Sequence, residues 1–209
     1  MEGEMSTLIP IAAGVFVCLF LVVLVGLAIF FGKRQTQKTK LTIQQLEETY
    51  GLVNQNPKGI YFDLRGEVDG IEVAVDVMFQ SYSTSGPSNS QRPWTRVRAQ
   101  LPEAPQIQVR SRHQKYGEKI EWPKRETGNP TFDQKYELFM PESASLDEAL
   151  PPPVRDALIA ADPPVHILNN VVLWSKAKTW HSPELFKNAV HSCVSVASAI
   201  VNSAQEISR

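Results

Sequence analysis

The sequence predicts an α+β protein in which a single N-terminal transmembrane helix precedes an antiparallel sheet packed on one face by helices. Three observations lead to this class. Uncharged residues run without interruption from residue 8 to residue 31. Two alternating apolar runs flank Asp69-Gly70, and one continuous apolar stripe follows Pro183 along a predicted long C-terminal helix. A sheet with one apolar face is the natural partner of such a helix.

The apolar run is long enough to cross a membrane. At about 1.5 Å per residue it reaches ~36 Å, against a hydrocarbon core of ~30 Å. A cleaved signal peptide has a basic start, a shorter apolar stretch and a small-residue cleavage site. Residues 1–7 contain Glu2 and Glu4 but no Lys or Arg. We therefore expect an N-terminal tail at 1–7 and a retained transmembrane helix at 8–31.

A basic juxtamembrane linker is predicted at 32–41. It contains four basic residues, Lys33, Arg34, Lys38 and Lys40. Lysine and arginine beside a span favour the cytoplasmic side. We therefore expect a single-pass membrane protein with its N-terminus outside and a cytoplasmic domain at 42–209. The same four side chains are predicted to contact anionic membrane lipid.

The remainder of the chain has the length of one domain with a core of its own. The net charge of −1 provides no overall attraction to nucleic acid, so a nucleic-acid partner is not expected. Cys18 falls in the apolar run and Cys193 in a predicted helix, which argues against a disulfide and fits a reducing compartment.

The domain is predicted to open with a short helix at 42–51, because Thr42 and Gln45 have the spacing of a capping box and Gly51 can end the helix. Next, apolar residues alternate over 60–68 and again over 71–79, on either side of Asp69-Gly70. Asp-Gly between alternating runs is typical of a type I′ hairpin. A two-residue loop would pair position 68 with 71 and 64 with 75, which places both apolar rows on one face.

Residues 81–93 have too little apolar content to pack and are predicted to form a mobile loop. Strands are predicted at 94–101, 106–113 and 132–140, with an irregular excursion at 115–130. A short helix is expected at 154–161, and a second hairpin joins 165–168 to 171–174 through Asn169-Asn170, because asparagine tolerates positive φ. The long C-terminal helix begins at Pro183, with Ser182 as its cap.

No pattern in the sequence indicates catalysis. The four histidines, His113, His166, His181 and His191, match no metal-ligand spacing. Cys193 lies on the apolar helix stripe, so we expect it in the core. Asp63 and Asp76 are expected to be solvated carboxylates on the first hairpin. We therefore predict a protein that is not an enzyme, with no catalytic residues, no cofactor, no metal and no small-molecule substrate.

One region is rich in basic residues. Nine Lys or Arg fall within 92–125, and four of these arginines can share a strand face with an aromatic residue. The candidates for this surface are Trp94, Arg96, Arg98, Arg110 and Arg112. Aromatic and arginine side chains on a sheet can bind phosphates or single-stranded nucleic acid. The alternative is a solvated outer sheet face, or one that covers a neighbour through arginine stems. We expect contact with a partner protein or an anion.

Five segments, in this order, carry a resemblance: 46–52, 66–73, 94–98, 127–133 and 153–159. The most specific reads Thr-Gly-Asn-Pro-Thr-Phe-Asp at 127–133. The chain resembles a group of uncharacterised bacterial proteins, often membrane-anchored, with a TGDPxFD signature ahead of a strand; Asn129 stands where that pattern usually has Asp. The resemblance implies a bacterial inner-membrane setting and a shared fold, and it implies no activity and no catalytic residues.

Within this signature, residues 127–130 read as a turn and Phe132 as the anchor of the next strand, with Asp133 accepting hydrogen bonds from nearby backbone N–H groups. The functional expectation is a membrane-anchored, non-enzymatic accessory or scaffolding subunit whose cytoplasmic domain binds a protein partner in a larger membrane complex. The alternative is a membrane-tethered sensor or binding module for a small anionic ligand or a phospholipid headgroup.

Overall fold

A computed structural model describes residues 5–59, 61–82, 90–112, 120, 122–178 and 182–207, and omits the side-chain environment of 5–19, 35, 80–82, 90–91 and 207. Contacts divide the chain into two units, Met1–Leu41 and Thr42–Arg209. Helix α1 (Met5–Tyr50) supplies the first unit and the first turns of the second.

The first unit contains one helix that is long and apolar enough to cross a membrane. Ten large apolar side chains between Phe20 and Phe31 are 45–69% exposed. The residues predicted as a linker at 32–41 and as a helix at 42–51 belong to one continuous helix, α1, so the helix predicted at 42–51 has no separate start. No glycine or proline interrupts residues 33–50, so nothing stops the helix before Gly51. Gly51 has a φ of 67° and donates its N–H to the carbonyl of Glu47, which ends α1 as predicted.

The second unit is built on an antiparallel sheet. Its nine described strands are β1 (Val53–Asn54), β2 (Asp63–Val68), β3 (Ile71–Tyr82), β4 (Ser90–Gln100), β5 (Gln108–Ser111), β6 (Lys124–Arg125), β7 (Tyr136–Phe139), β8 (His166–Leu168) and β9 (Val171–Ala177). Their order across the sheet is β1-β2-β3-β4-β9-β8-β5-β7-β6. The α+β class with a large antiparallel sheet and a long C-terminal helix is therefore confirmed.

Helices cover one face of this sheet. The described ones are α2 (Pro130–Lys135), α3 (Leu146–Ala149), α4 (Pro152–Ala160) and α5 (Pro183–Ile207). Helix α5 lies against β3, β4 and β9, and α4 packs on α5. The ring of Phe186 on α5 meets the rings of Trp174 and Phe62 edge-on, at centroid distances of 6.2 and 5.9 Å. Phe186, Cys193 and Trp174 are buried, so the first part of the predicted apolar stripe, including its cysteine, lies in the core, whereas Ile200 is half-buried and Ala204 exposed.

Both predicted hairpins are present. Val68 pairs with Ile71 and Leu64 with Val75, in the predicted register. Asp69 and Gly70 have φ values of 51° and 78°, the positive angles that a type I′ turn requires. The second hairpin joins β8 to β9 through a turn in which Asn169 has a φ of 53°. Local turn chemistry therefore set the register of both.

Three predictions for the connecting segments are wrong. Part of the predicted 81–93 loop is strand, because β3 continues through Tyr82 and β4 begins at Ser90; residues 83–89 lie outside the described part of the chain. The predicted irregular excursion contains strand β6, which pairs with β7. Phe132 lies in helix α2, and the following strand begins only at Tyr136.

The signature segment at 127–133 forms a capped helical turn. The side chain of Asn129 accepts hydrogen bonds from the N–H groups of Thr131 and Phe132, at 3.1 and 3.2 Å. Asp133 accepts from the N–H and the hydroxyl of Thr127, at 3.2 and 2.9 Å, as predicted. Asparagine followed by proline is a favourable start for a helix, which explains why α2 forms where a turn and a strand were expected.

The residues after this turn hold α4 in place. Lys135 Nζ donates to the carbonyls of Ile159 and Ala161 at 2.9 and 2.5 Å, and the Tyr136 hydroxyl donates to the carbonyl of Leu158 at 2.8 Å. These carbonyls lie at the C-terminal end of α4, where a helix leaves its acceptors unpaired and where a cation is favourable. These hydrogen bonds connect the segment that follows the signature to the end of α4.

Candidate functional site

The sheet face turned away from α4 and α5 carries the predicted arginine residues. Val97 pairs with Trp174 on the core side, so the neighbouring pair, Arg96 and Ser175, points to the other side. Asp76 on β3 pairs with Arg96 on β4 and points the same way. We call this side of the sheet the outer face.

A carboxylate with two guanidinium groups lies at the middle of β3 and β4. Asp76 accepts from Arg96 Nε at 2.7 Å and from Arg96 Nη2 at 2.8 Å, a bidentate pair. Arg98 Nη2 donates to the same carboxylate. The side chains of Arg96 and Arg98 are 21% and 32% exposed, so solvent reaches both.

The expectation that Asp76 is a solvated carboxylate is wrong. The residue is only 9% exposed. The register of β3 against β4 places Arg96 directly opposite it, and Arg98 lies two residues further along the same strand face. Burial of a carboxylate is costly without such partners, so the two arginines account for its position. Asp63, in contrast, pairs with exposed Arg65 at the surface, and this pairing raises the pKa of Arg65.

The remaining two arginines form a second group on the same face. Arg110 on β5 lies opposite Glu137 on β7 in the strand register. Arg112 Nη1 lies 3.7 Å from the Glu137 carboxylate. Lys124 donates to that carboxylate at 2.8 Å, and this hydrogen bond is the main reason that the pKa of Glu137 falls below its usual value.

The two groups are separated by β9 and β8. Since neighbouring strands lie about 4.8 Å apart, β4 and β5 are separated by ~14 Å. The structure therefore places all the predicted arginines on one face and divides them into two sites. Contact of either arginine group with a partner or an anion remains a prediction.

Three buried hydrogen-bond donors surround the first group. Trp94 Nε1, Arg98 Nε and Ser175 Oγ are buried and have no acceptor among the described residues. Ser175 is 2% exposed and lies directly opposite Arg96, so Trp94 and Arg98 are its diagonal neighbours on β4. Sequence reasoning missed Ser175, because a serine in an apolar strand has no local signal and only the pairing of β4 with β9 brings it to the arginines.

A second candidate surface lies beside the C-terminal half of α5. One groove of about 410 Å³ runs between α5 and the segments before β5 and around α3, and includes Ile107, Ala149 and Ile200. A neighbouring groove of about 470 Å³ includes Leu101 and Val201. The two grooves share Glu103, Ile200 and Ala204. The walls of both grooves include apolar side chains. The carboxylate of Glu103 lines both grooves, and that of Glu148 lines the first.

The buried ionisable groups have structural explanations. Burial, and then the charge of Arg110, lower the pKa of His166 to about 4, so the ring is neutral at pH 7 and its Nδ1 accepts the N–H of Ser111 at 3.2 Å. Burial also raises the pKa of the Cys193 thiol, which makes it a poor nucleophile at neutral pH. His191 is exposed on α5, and the predictions that involve His113 and His181 concern residues outside the described part of the chain.

The basic residues of α1 are exposed. Lys33, Arg34, Lys38 and Lys40 all lie on the helix surface after the apolar run. At about 1.5 Å per residue, Lys33 and Arg34 follow Phe31 by ~3–5 Å, whereas the two lysines lie ~10–14 Å beyond it.

Among the described residues, no three His, Cys, Asp or Glu side chains are grouped so that they could hold a metal ion. Comparison of the chain with family models, curated proteins and solved structures finds no match.

Proposed function

We propose that this protein is a membrane-anchored accessory or scaffolding subunit whose domain binds a protein partner in a larger complex of the bacterial inner membrane. The observation that carries this proposal is the apolar surface of α1, where ten large apolar side chains between Phe20 and Phe31 are exposed. Such a surface is unfavourable in water, and a hydrocarbon layer would bury it. The exposed basic residues that follow support a cytoplasmic position for the domain.

The paired grooves beside α5 are the surface that fits a protein partner best. Ile200 and Ala204 lie between both grooves, so an apolar side chain can reach α5 from either side. The carboxylates of Glu103 and Glu148 accompany this apolar surface and favour a partner that carries lysine or arginine next to its apolar residues. The partner proposed here is therefore an amphipathic segment with an apolar stripe and basic flanks.

Two experiments test the proposal. A cytoplasm-dependent reporter fused after Arg209 is expected to be active, and activity of a periplasm-dependent reporter in its place would refute the orientation. In the second, the tagged chain is purified from gently solubilised native membranes as wild type and as Ala204→Trp, which fills the shared part of the grooves. We expect a stoichiometric partner with the wild type and its loss with the variant.

The matched control for that experiment is Asn188→Trp, which adds the same ring to an exposed position on α5 away from both grooves. It should retain the partner. Equal loss from Asn188→Trp and Ala204→Trp would show that the grooves are not the contact surface. Purification of the wild type as a monomer without partner would refute the accessory role itself.

A further inference from the structure

We propose that the solvent-facing side of α5 is a self-association surface, on which α5 of a second copy of this chain (the partner subunit) packs in the antiparallel direction. The starting point is a groove of about 500 Å³ along this helix, lined by residues of α5 together with Asp69 in the β2–β3 turn and Pro153 in α4. This inference goes beyond the accessory role proposed above, because the groove includes neither Ile200 nor Ala204 and its occupant is no other protein.

The α5 residues of this groove form one face of the helix. Its polar members, which we call the polar face of α5, are His191, Ser195, Ser198, Asn202, Ser203 and Glu206. They follow one another mostly at intervals of three and four residues, the spacing that places side chains on one side of a helix. His191, Ser195, Asn202 and Glu206 are exposed, whereas the buried residues of the apolar stripe lie on the other side. The polar face is therefore accessible to another molecule.

The middle of the polar face favours close approach of a second helix. Its residues are small, and Ala199 lies next to Ser198 in the same groove. Ser203 gives an independent indication of an occupant, because it is only 7% exposed and its hydroxyl has no hydrogen-bond partner in the described part of the chain. A buried hydroxyl without a partner is costly, and a polar group supplied from outside would satisfy it.

The ends of the polar face select the occupant and its direction. Across a two-fold axis between Ser198 and Ala199, His191 faces the partner's Glu206, and an imidazole N–H can donate to that carboxylate. The two Glu206 carboxylates are then ~22 Å apart, well beyond the Debye length of ~8 Å, whereas a parallel pair of helices would bring them together. A second copy in the antiparallel direction is therefore complementary in charge.

The residues between the ends also match in this arrangement. Ser195 faces the partner's Asn202, whose amide can both donate and accept a hydrogen bond. Ser195 also lies beside the partner's Ser203, so the buried hydroxyl gains a polar neighbour. The two-fold axis repeats each of these contacts, which doubles their contribution to association.

The test uses single cysteines in the full chain, reconstituted in phosphatidylcholine vesicles with no other protein. Cys18→Ser is the background, because Cys193 is buried. Ser198→Cys lies at the axis, where helices ~8 Å apart bring two Cα atoms within disulfide range, whereas two copies of exposed Asn188→Cys would be ~30 Å apart. Under mild oxidation we expect a covalent dimer from Ser198→Cys and monomer from Asn188→Cys.

A charge exchange tests the contact between the ends. In the Ser198→Cys chain, His191→Glu places two carboxylates together at each end and should slow cross-linking by about tenfold, since two symmetrical pairs change at once. Adding Glu206→Lys should restore the rate, and both positions are exposed, so the domain should melt as before. A monomeric Ser198→Cys chain would assign the groove to another occupant and overturn the proposal. Equal cross-linking of Asn188→Cys, or no recovery with Glu206→Lys, would also overturn it.

Discussion

Acidification is expected to destabilise the domain through His166, at pH values where carboxylates are still ionised. The ring is fully buried and neutral, its pKa is lowered from 6.5 to about 4 by burial and by Arg110, and its Nδ1 accepts the N–H of Ser111. In the unfolded chain the same ring takes up a proton near pH 6.5. Because the unfolded state then binds more protons than the folded state, stability falls as the pH falls.

The magnitude follows from the two pKa values. Above pH 6.5 the His166 ring is neutral in both the folded and the unfolded chain, and it does not change the unfolding free energy. As the pH falls from 6.5 through about 4, the unfolded chain binds a proton that the folded chain does not, and the unfolding free energy decreases. At pH 5 the loss of unfolding free energy is ~2 kcal/mol, and the full difference between the two pKa values corresponds to ~3 kcal/mol. The pKa of Glu137 is lowered below its ordinary value of 4.5. The stabilisation that the ionised Glu137 provides is therefore lost at lower pH than the effect of His166.

The assay is urea unfolding of the full chain in zwitterionic micelles at pH 7.5, 6.0 and 5.0, followed by tryptophan fluorescence. His166→Asn retains an acceptor near the Ser111 N–H but does not titrate. It should lower stability at pH 7.5 by ~1–3 kcal/mol through lost packing and should remove most of the pH dependence. The exposed-site control His191→Asn should keep the wild-type slope. The reasoning is refuted if the wild type is equally stable at pH 7.5 and 5.0, or if His166→Asn keeps the slope.

Three further predictions concern the hairpin, the α2 cap and the helix charges. Gly70→Val should destabilise the domain by ~1–3 kcal/mol, because a β-branched residue is strained at a φ of 78°; an unchanged melting temperature, or an equal loss in Gly70→Asn, would contradict this. Asn129→Ala should cost ~1 kcal/mol in chemical denaturation, whereas Asn129→Asp, which can also cap, should cost less than half of that. Neutralising all four basic residues of α1 should scramble topology in a protease-protection assay without changing the thermal unfolding of the domain. Lys33→Gln with Arg34→Gln should account for most of the effect and the two distal lysines for little, because attraction to the bilayer surface decays over ~8–10 Å; equal effects of the two pairs would oppose this.

Features that depend on neighbours in the chain could be predicted from the sequence alone. The Asp69-Gly70 turn determines which residues of β2 and β3 pair, because positive φ values at two adjacent positions permit only one type of tight connection. The apolar stripe after Pro183 predicts α5 and its buried face, because the spacing of side chains on a helix is regular. The length and composition of the run at 8–31 indicate a helix that can span a membrane, although its position in a membrane remains a proposal.

Features that depend on residues far apart in the chain were decided only by the tertiary structure. Asp76 is 20 residues from Arg96 in the sequence, and only the pairing of β3 with β4 makes it a buried partner instead of a solvated carboxylate. Ser175 reaches the same cluster because β9 pairs with β8 on one side and with β4, which is far away in the sequence, on the other. His166 is buried among β5, β8 and β9, which no local pattern around it indicates. Local geometry determines turns and helix faces, whereas strand order determines which side chains meet, and in this protein both arginine groups of the outer face depend on strand order.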